Sequence, residues 1–179
     1  HRADWVTPIS QRYKNIELHE IPPNGQGLAA QIALGILQHL PDQPLDSAEE
    51  VHQLIEAMKI ATATAAARFA DPAAMTVSIE ELLDDESLRR AAATIGPRAM
   101  VLPPAALPVG HDTVYLTTAD ADGMMVSFIQ SNFRAFGSGV VIPGTGIAMQ
   151  NRGSGFVLDP KHANCVGPNK RPFHTIIPG

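Results

Sequence analysis

The sequence predicts an α+β fold in which helices fill the first half and antiparallel strands the second. Three observations lead there. From Leu28 to Phe69 apolar residues recur at three- and four-residue steps, the spacing of one helix face. Beyond residue 112 come runs of β-branched and aromatic side chains, which suit a pleated surface. Tight, glycine-rich turns separate those later runs, and the two kinds of element are segregated rather than alternating.

In chain order, NIELHEI (15–21) alternates polar and apolar residues and reads as a strand. PPNGQG (22–27) is a turn, with two prolines that fix φ and two permissive glycines. Leu28, Ile32, Ile36, Leu37 and Leu40 mark an amphipathic helix that Pro41 ends. Ser47 and Glu50 have capping-box spacing. The helix they open runs to about Ala70, with Val51, Leu54, Ile55, Met58, Thr62, Ala65 and Phe69 on one face. Ser78 and Glu81 form a second box, opening a shorter charged helix to about Ile95. Residues 96–112 are rich in proline and small side chains and read as an exposed, extended connector. TVYLTTAD (113–120) and MMVSFIQS (124–131) are strands joined by a hairpin turn in ADADG (119–123).

Composition narrows the function. The chain has 179 residues, 45% hydrophobic and 17% charged, enough for one globular domain with a sizeable core. A net charge of −5 and the lack of a Lys/Arg stripe argue against a nucleic-acid partner. No apolar run approaches the ~18 residues of a membrane span. The single cysteine, Cys165, permits no intramolecular disulfide and leaves the compartment undetermined. The opening HRADWVTPIS lacks a signal-peptide layout, and the missing initial Met and the strand-like run at TIIPG predict a fragment of a longer protein. The seven histidines lack metal-ligand spacing, so neither metal nor other cofactor is expected.

Hydroxyl chemistry needs a base. His111 lies two residues before Thr113, but G-x-S-x-G and S-x-x-K are both absent. Another solution uses no side-chain base. If the chain is cut before a threonine, the freed α-amino group lies beside its own hydroxyl and titrates near ~8. An exposed connector, a scissile bond and a nucleophile opening a buried strand are required, and Asp112–Thr113 fits that layout. The plainer reading of Thr113 is a β-forming residue at a strand start.

Ordered motifs add to this. Thr113 is followed by DADG (120–123), VS (126–127), FGSG (136–139) and GPNKRP (167–172), and WVTPIS and IPPNGQG precede it. This set resembles the gamma-glutamyltranspeptidase family, over nearly the whole chain. The resemblance implies an N-terminal nucleophile hydrolase, a four-layer αββα sandwich of which this chain is part. It implies one precursor cut at Asp112–Thr113. Residues 1–112 then belong to the C-terminal, mainly helical part of a large subunit, and 113–179 to the β-rich start of a small one. Thr113 is the implied nucleophile. Ser131 takes the place of a supporting hydroxyl eighteen residues on, usually threonine. The implied partners are a small-molecule amide, γ-glutamyl or glutaryl-like, and the two subunits themselves, with further oligomerisation left open.

Departures from the family pattern bear on the substrate. The acidic pair that holds a substrate ammonium is missing from RGSGF (152–156), where Gly153–Gly155 supply no carboxylate. Phe133 stands where an asparagine is expected, with Asn132 adjacent, and His174 and Thr175 replace a serine pair. Arg152 offers a cation for a carboxylate instead. These changes resemble the divergent branch that includes glutaryl-cephalosporin acylase-like proteins. The family's oxyanion glycines fall beyond Gly179, so the fragment alone is expected to be inactive.

The remaining polar residues have structural readings beside functional ones. Lys170 and Arg171 are expected to satisfy carbonyls or carboxylates, Cys165 to be a small buried hydrophobe, and Met124 and Met125 to pack. Ser138 reads as a turn residue or a site hydroxyl, and His174 as a packed histidine or a site residue. Two alternatives stand beside the threonine amidase: a processing-dead or binding member of the same fold, and a metal-free serine hydrolase using Ser131 and His174.

Overall fold

The computed structural model of the protein describes residues 4–101 and 113–176. The chain divides into two units, His1–Pro103 with Phe156–Gly179, and Pro104–Gly155.

In the first unit, β1 (Ile9–Tyr13) and β2 (Ile16–Glu20) pair antiparallel, from Ile9↔Glu20 to Tyr13↔Ile16. The sequence signals located β2 but not β1. Their turn, Lys14–Asn15, contains no glycine, yet Lys14 adopts φ +53°. Its N–H donates to Gln38 Oε1 at 2.7 Å, which holds that conformation.

Helix α1 (Gly27–Leu37) is the centre of the core, burying Leu28, Ala29, Ile32, Ala33 and Ile36. Gln31 is fully buried among them, and its Nε2 donates to Ile9 O at 2.9 Å and Leu18 O at 3.1 Å. One amide thereby ties both strands to the helix. The helix begins at a glycine for a steric reason: a Cβ on Gly27 would lie 2.2 Å from Oε2 of the buried Glu20.

Helix α2 spans Ala48–Arg68 and is capped by Ser47 Oγ, which accepts from Glu50 N at 3.1 Å. Only half of the expected box forms, because Glu50 Oε2 accepts instead from Asp46 N at 2.7 Å. The buried face also differs from expectation. Ala57, Ala61 and Ala65 face the core, while Val51, Leu54, Ile55 and Met58 are 43–51% exposed. An alanine ridge at four-residue spacing lets α1 and α2 approach closely, and the larger side chains fall to one side. Phe69 does reach the core, edge-on to Phe173 at 5.8 Å.

A polar stripe on α2 holds the start of the connector. His52 Nε2 donates to Gly96 O at 2.7 Å. Glu56, 1% exposed, accepts from Lys59 Nζ at 2.6 Å and from Met100 N at 2.9 Å, while Lys59 Nζ also donates to Met100 O at 3.0 Å. The Lys59 hydrogen bond, then that of Met100, holds the Glu56 carboxyl below its usual range. The rest of the connector, residues 102–112, lies outside the described residues.

The single helix expected from Ser78 to about Ile95 is two helices, α3 (Ile79–Leu82) and α4 (Asp85–Ala92). The Ser78–Glu81 box forms in both directions, at 3.1 and 2.7 Å. Asp84 then accepts from Ser87 N at 2.9 Å and starts a new helix, breaking the first. α4 buries Leu88 and Ala92 in the core cluster shared with α1.

After residue 155 the chain returns to this unit. Val157 and Cys165 form a bridge, and the buried Asn164 accepts from Phe173 N at 2.9 Å. As expected, Lys170 and Arg171 are structural: Lys170 Nζ donates to Cys165 O at 2.8 Å, and the Arg171 guanidinium pairs with Asp4 at 2.8 Å. Cys165, expected to be buried, is only half-buried.

In the second unit, β3 (Thr113–Ala119) and β4 (Met125–Ser131) form an antiparallel hairpin of seven pairs, Thr113↔Ser131 to Ala119↔Met125. Asp120 Oδ1 accepts from Asp122 N and Met124 N, both at 3.0 Å, and Gly123 takes φ +86°. The sequence predicts a buried strand here, yet every residue of β3 is exposed, because the hairpin leaves both faces uncovered. Met124 and Met125, expected to pack, are exposed at its tip for the same reason.

Two stability outcomes follow, both read on the full-length protein. Gly27→Ala forces the buried Glu20 side chain aside and is expected to lower unfolding free energy by about 1–3 kcal/mol, measured by urea denaturation. Because the Glu56 carboxyl titrates below its unfolded value of about 4.3, its contribution is present above that value and lost as pH falls through the folded one. Glu56→Gln is therefore expected to lower the urea midpoint at pH 7, with the gap to wild type closing as pH drops below 4.3.

Candidate active site

Thr113 opens β3, and the register puts it opposite Ser131, the last residue of β4. Its Oγ1 donates to Ser131 Oγ at 3.0 Å. Ser131 Oγ also accepts from Phe133 N at 3.0 Å. The two hydroxyls that the sequence nominates eighteen residues apart are thus in direct contact. Thr113 is exposed and Ser131 half-buried.

Behind Ser131 the chain turns sharply. Phe133 takes φ +77° and Ala135 φ +45°. The Asn151 side chain staples this turn: Oδ1 accepts from Arg134 N at 3.0 Å, and Nδ2 donates to Arg134 O at 3.2 Å and Gly137 O at 3.1 Å. Asn132, half-buried, accepts at its carbonyl from Asn151 N at 3.2 Å. Ser138 belongs to the loop scaffold, since its Oγ donates to Met149 O at 3.0 Å. Gly137, at φ +72°, has no room for a Cβ, which would meet Met149 O at 2.3 Å.

Arg152 opens a short 3-10 turn that runs to Gly155. Its guanidinium lies 5.0 Å from the centroid of the Phe133 ring, with Arg134 5.3 Å from the same ring. Burial holds Arg152 below its usual range. Thr113, Ser131, Asn132 and Arg152 are therefore gathered in one unit around Phe133 and Asn151. Sequence reasoning noted Phe133 only as a missing asparagine and did not single out Asn151.

His174 and Thr175 belong to the other unit. There His174 bridges to Gly25, its N–H donating to Asn24 O at 2.8 Å, and Asn24 Nδ2 donates to Pro172 O at 2.6 Å. Asp112 and His111 lie outside the described residues. Among the described residues no group of three or more His, Cys, Asp or Glu could hold a metal ion, and no helix is long and apolar enough to cross a membrane.

Comparison with known proteins decides the family. The family model described as Gamma-glutamyltranspeptidase matches residues 1–179. The chain belongs to the gamma-glutamyltranspeptidase family. Within it, the chain is 41% identical to the glutathione hydrolase-like YwrD proenzyme of Bacillus subtilis over 99% of its length. It is 40% identical, over the same share, to the oxamate amidohydrolase proenzyme of Klebsiella pneumoniae. It spans about a third of each, 34% in both cases. In structure it matches a cephalosporin acylase from Bacillus halodurans with a TM-score of 0.85 at 50% identity, covering 98% of this chain and 32% of that one. The chain is thus a mixed α/β stretch of a gamma-glutamyltranspeptidase-type fold, with proenzymes as homologues.

The Thr113–Ser131 contact predicts a graded effect on activity. Ser131→Ala removes the acceptor of the Thr113 hydroxyl and is expected to slow by about tenfold whatever amide hydrolysis the full-length protein carries out, while Ser131→Thr, which keeps a hydroxyl there, stays close to wild type. Steady-state kinetics on the full-length protein checks this.

Proposed function

We propose that the protein is an amide hydrolase or acyltransferase made as a proenzyme, with Thr113 as its nucleophile. The observation that carries this reading is the 3.0 Å contact between Thr113 Oγ1 and Ser131 Oγ at the open end of the hairpin. The proenzyme homologues support it. Residues 1–112 form the C-terminal part of the large subunit and 113–179 the start of the small one. The hairpin, bare on both faces, is the seed of the inner sheets of a four-layer αββα sandwich.

In maturation, Thr113 Oγ1 attacks the Asp112 carbonyl carbon and the acyl group moves from nitrogen to oxygen. Water then hydrolyses the ester. This leaves a carboxylate on Asp112 and an α-amino group on Thr113. That amine, titrating at about 7.7–8.0, is partly neutral at pH 7 and accepts the hydroxyl proton during catalysis. Ser131 holds the hydroxyl in line. Attack on a substrate amide gives an acyl-threonine ester and releases the amine, which takes the proton. Water or an amine acceptor then resolves the ester.

The substrate class follows from the charges near the site. Gly153–Gly155 bring no carboxylate to bind an ammonium, whereas Arg152 brings a guanidinium suited to a carboxylate. The preferred acyl group is therefore anionic, glutaryl-like or oxamate-like, over γ-glutamyl. The names of the relatives that act on oxamate and cephalosporins are consistent with this.

Thr113→Ala is expected to abolish both reactions. Intact mass spectrometry of the full-length wild type should show two chains divided at Asp112–Thr113, and the variant one. A wild type that stays uncut and inactive would support the processing-dead alternative. A variant that keeps amidase activity would remove Thr113 from the mechanism.

A further inference from the structure

We propose that Glu56 and Lys59 are positioning residues for maturation: together they grip Met100 by its main chain and so place the connector for the cut at Asp112–Thr113. The inference rests on the proenzyme reading and deepens it.

Glu56 is 1% exposed on α2, and its carboxylate is divided between two partners. Oε1 accepts from Lys59 Nζ at 2.6 Å and Oε2 from Met100 N at 2.9 Å. Lys59 Nζ also donates to Met100 O at 3.0 Å. One residue is thus held at its N–H and its C=O at once, as a strand neighbour would hold it. Stability alone does not account for the pair. Desolvating two charges offsets most of their attraction, and apolar side chains of similar volume often serve as well or better. What the charges add is direction, since one acceptor and one donor fit one orientation of the backbone.

That backbone leads to the scissile bond. Asp112 lies twelve residues beyond Met100. On the other side of the bond, Thr113 is fixed by the hairpin register and by its 3.0 Å contact with Ser131. Attack of Thr113 Oγ1 on the Asp112 carbonyl carbon requires the two to be presented in one geometry. The Met100 grip supplies the upstream fixed point. Without it the hold of α2 falls back to Gly96, whose carbonyl accepts from His52 Nε2 at 2.7 Å, and a longer segment costs more to order. The same helix takes the chain back later, His162 Nε2 donating to Ala66 O at 3.1 Å. The cut leaves that second contact joining two chains, whereas the Met100 grip then lies within one. The grip therefore acts on maturation and loses its backbone link to Thr113 once the bond is broken.

The test follows the full-length protein, made as a pulse by cell-free translation, with the half-time of precursor loss read by intact mass spectrometry and urea midpoints measured alongside. Glu56→Met combined with Lys59→Met removes the grip but fills the space. It is expected to lengthen the half-time by about 2–10-fold, the equivalent of one net hydrogen bond, while the urea midpoint stays close to wild type. Gly27→Ala is the mirror control: its midpoint falls and its half-time does not change. Met100→Pro deletes the N–H that Glu56 accepts, leaves α2 untouched and should slow cleavage like the double variant, which guards against misfolding of the latter. Met100→Ala keeps both main-chain groups and should cleave like wild type. A double variant that cleaves at the wild-type rate overturns the inference. So does Met100→Ala slowing as much as Met100→Pro, or Gly27→Ala slowing as much as the double variant. In each of these the wild type still cuts itself, so the inference falls alone. A wild type that never cuts itself overturns the proenzyme reading with it.

Discussion

The register of one hairpin governs the site. Side chains alternate across a strand, so a slip of one residue turns every one of them to the other face. A shift in β4 would put Gln130 or Asn132 opposite Thr113 in place of Ser131. The register is pinned at the far end of the hairpin, where one carboxylate, Asp120, satisfies two backbone N–H groups. Tyr115 adds a cross-strand link midway, its hydroxyl 3.0 Å from Ser127 Oγ. The Thr113–Ser131 contact at one end of the ladder thus depends on turn geometry at the other.

The helical unit follows a different logic. Its centre is α1, and α2 packs there with alanines rather than with its larger apolar side chains. Small residues permit close approach of backbones, and buried polar groups then supply direction. Gln31 performs that role for the strands and the Glu56–Lys59 pair for the connector. Both use side-chain groups to hold main-chain atoms distant in sequence, so shape is specified without a large core.

What was legible in the sequence was mostly local. The Ser78–Glu81 box and the ADADG turn are set by neighbours within four residues, and both form. The Thr113–Ser131 partnership came from ordered motifs, and the strand register supplies its geometry. The misreadings involve competition or distance. Asp84 outcompeted a continuous helix through a cap only three residues long in reach. The face of α2 was decided by packing against α1, where volume outweighs hydrophobicity. β1 was hidden by a turn whose left-handed lysine depends on Gln38, over twenty residues away. The backbone of Phe133 was equally invisible, since it is imposed by Asn151 across a loop.

The hydrogen bonds of α2 to the connector run to main-chain atoms, the carbonyl of Gly96 and the amide and carbonyl of Met100. Recognition of that kind is blind to side-chain identity, proline excepted. Any residue with a backbone N–H at position 100 can therefore offer Glu56 and Lys59 the same two main-chain partners.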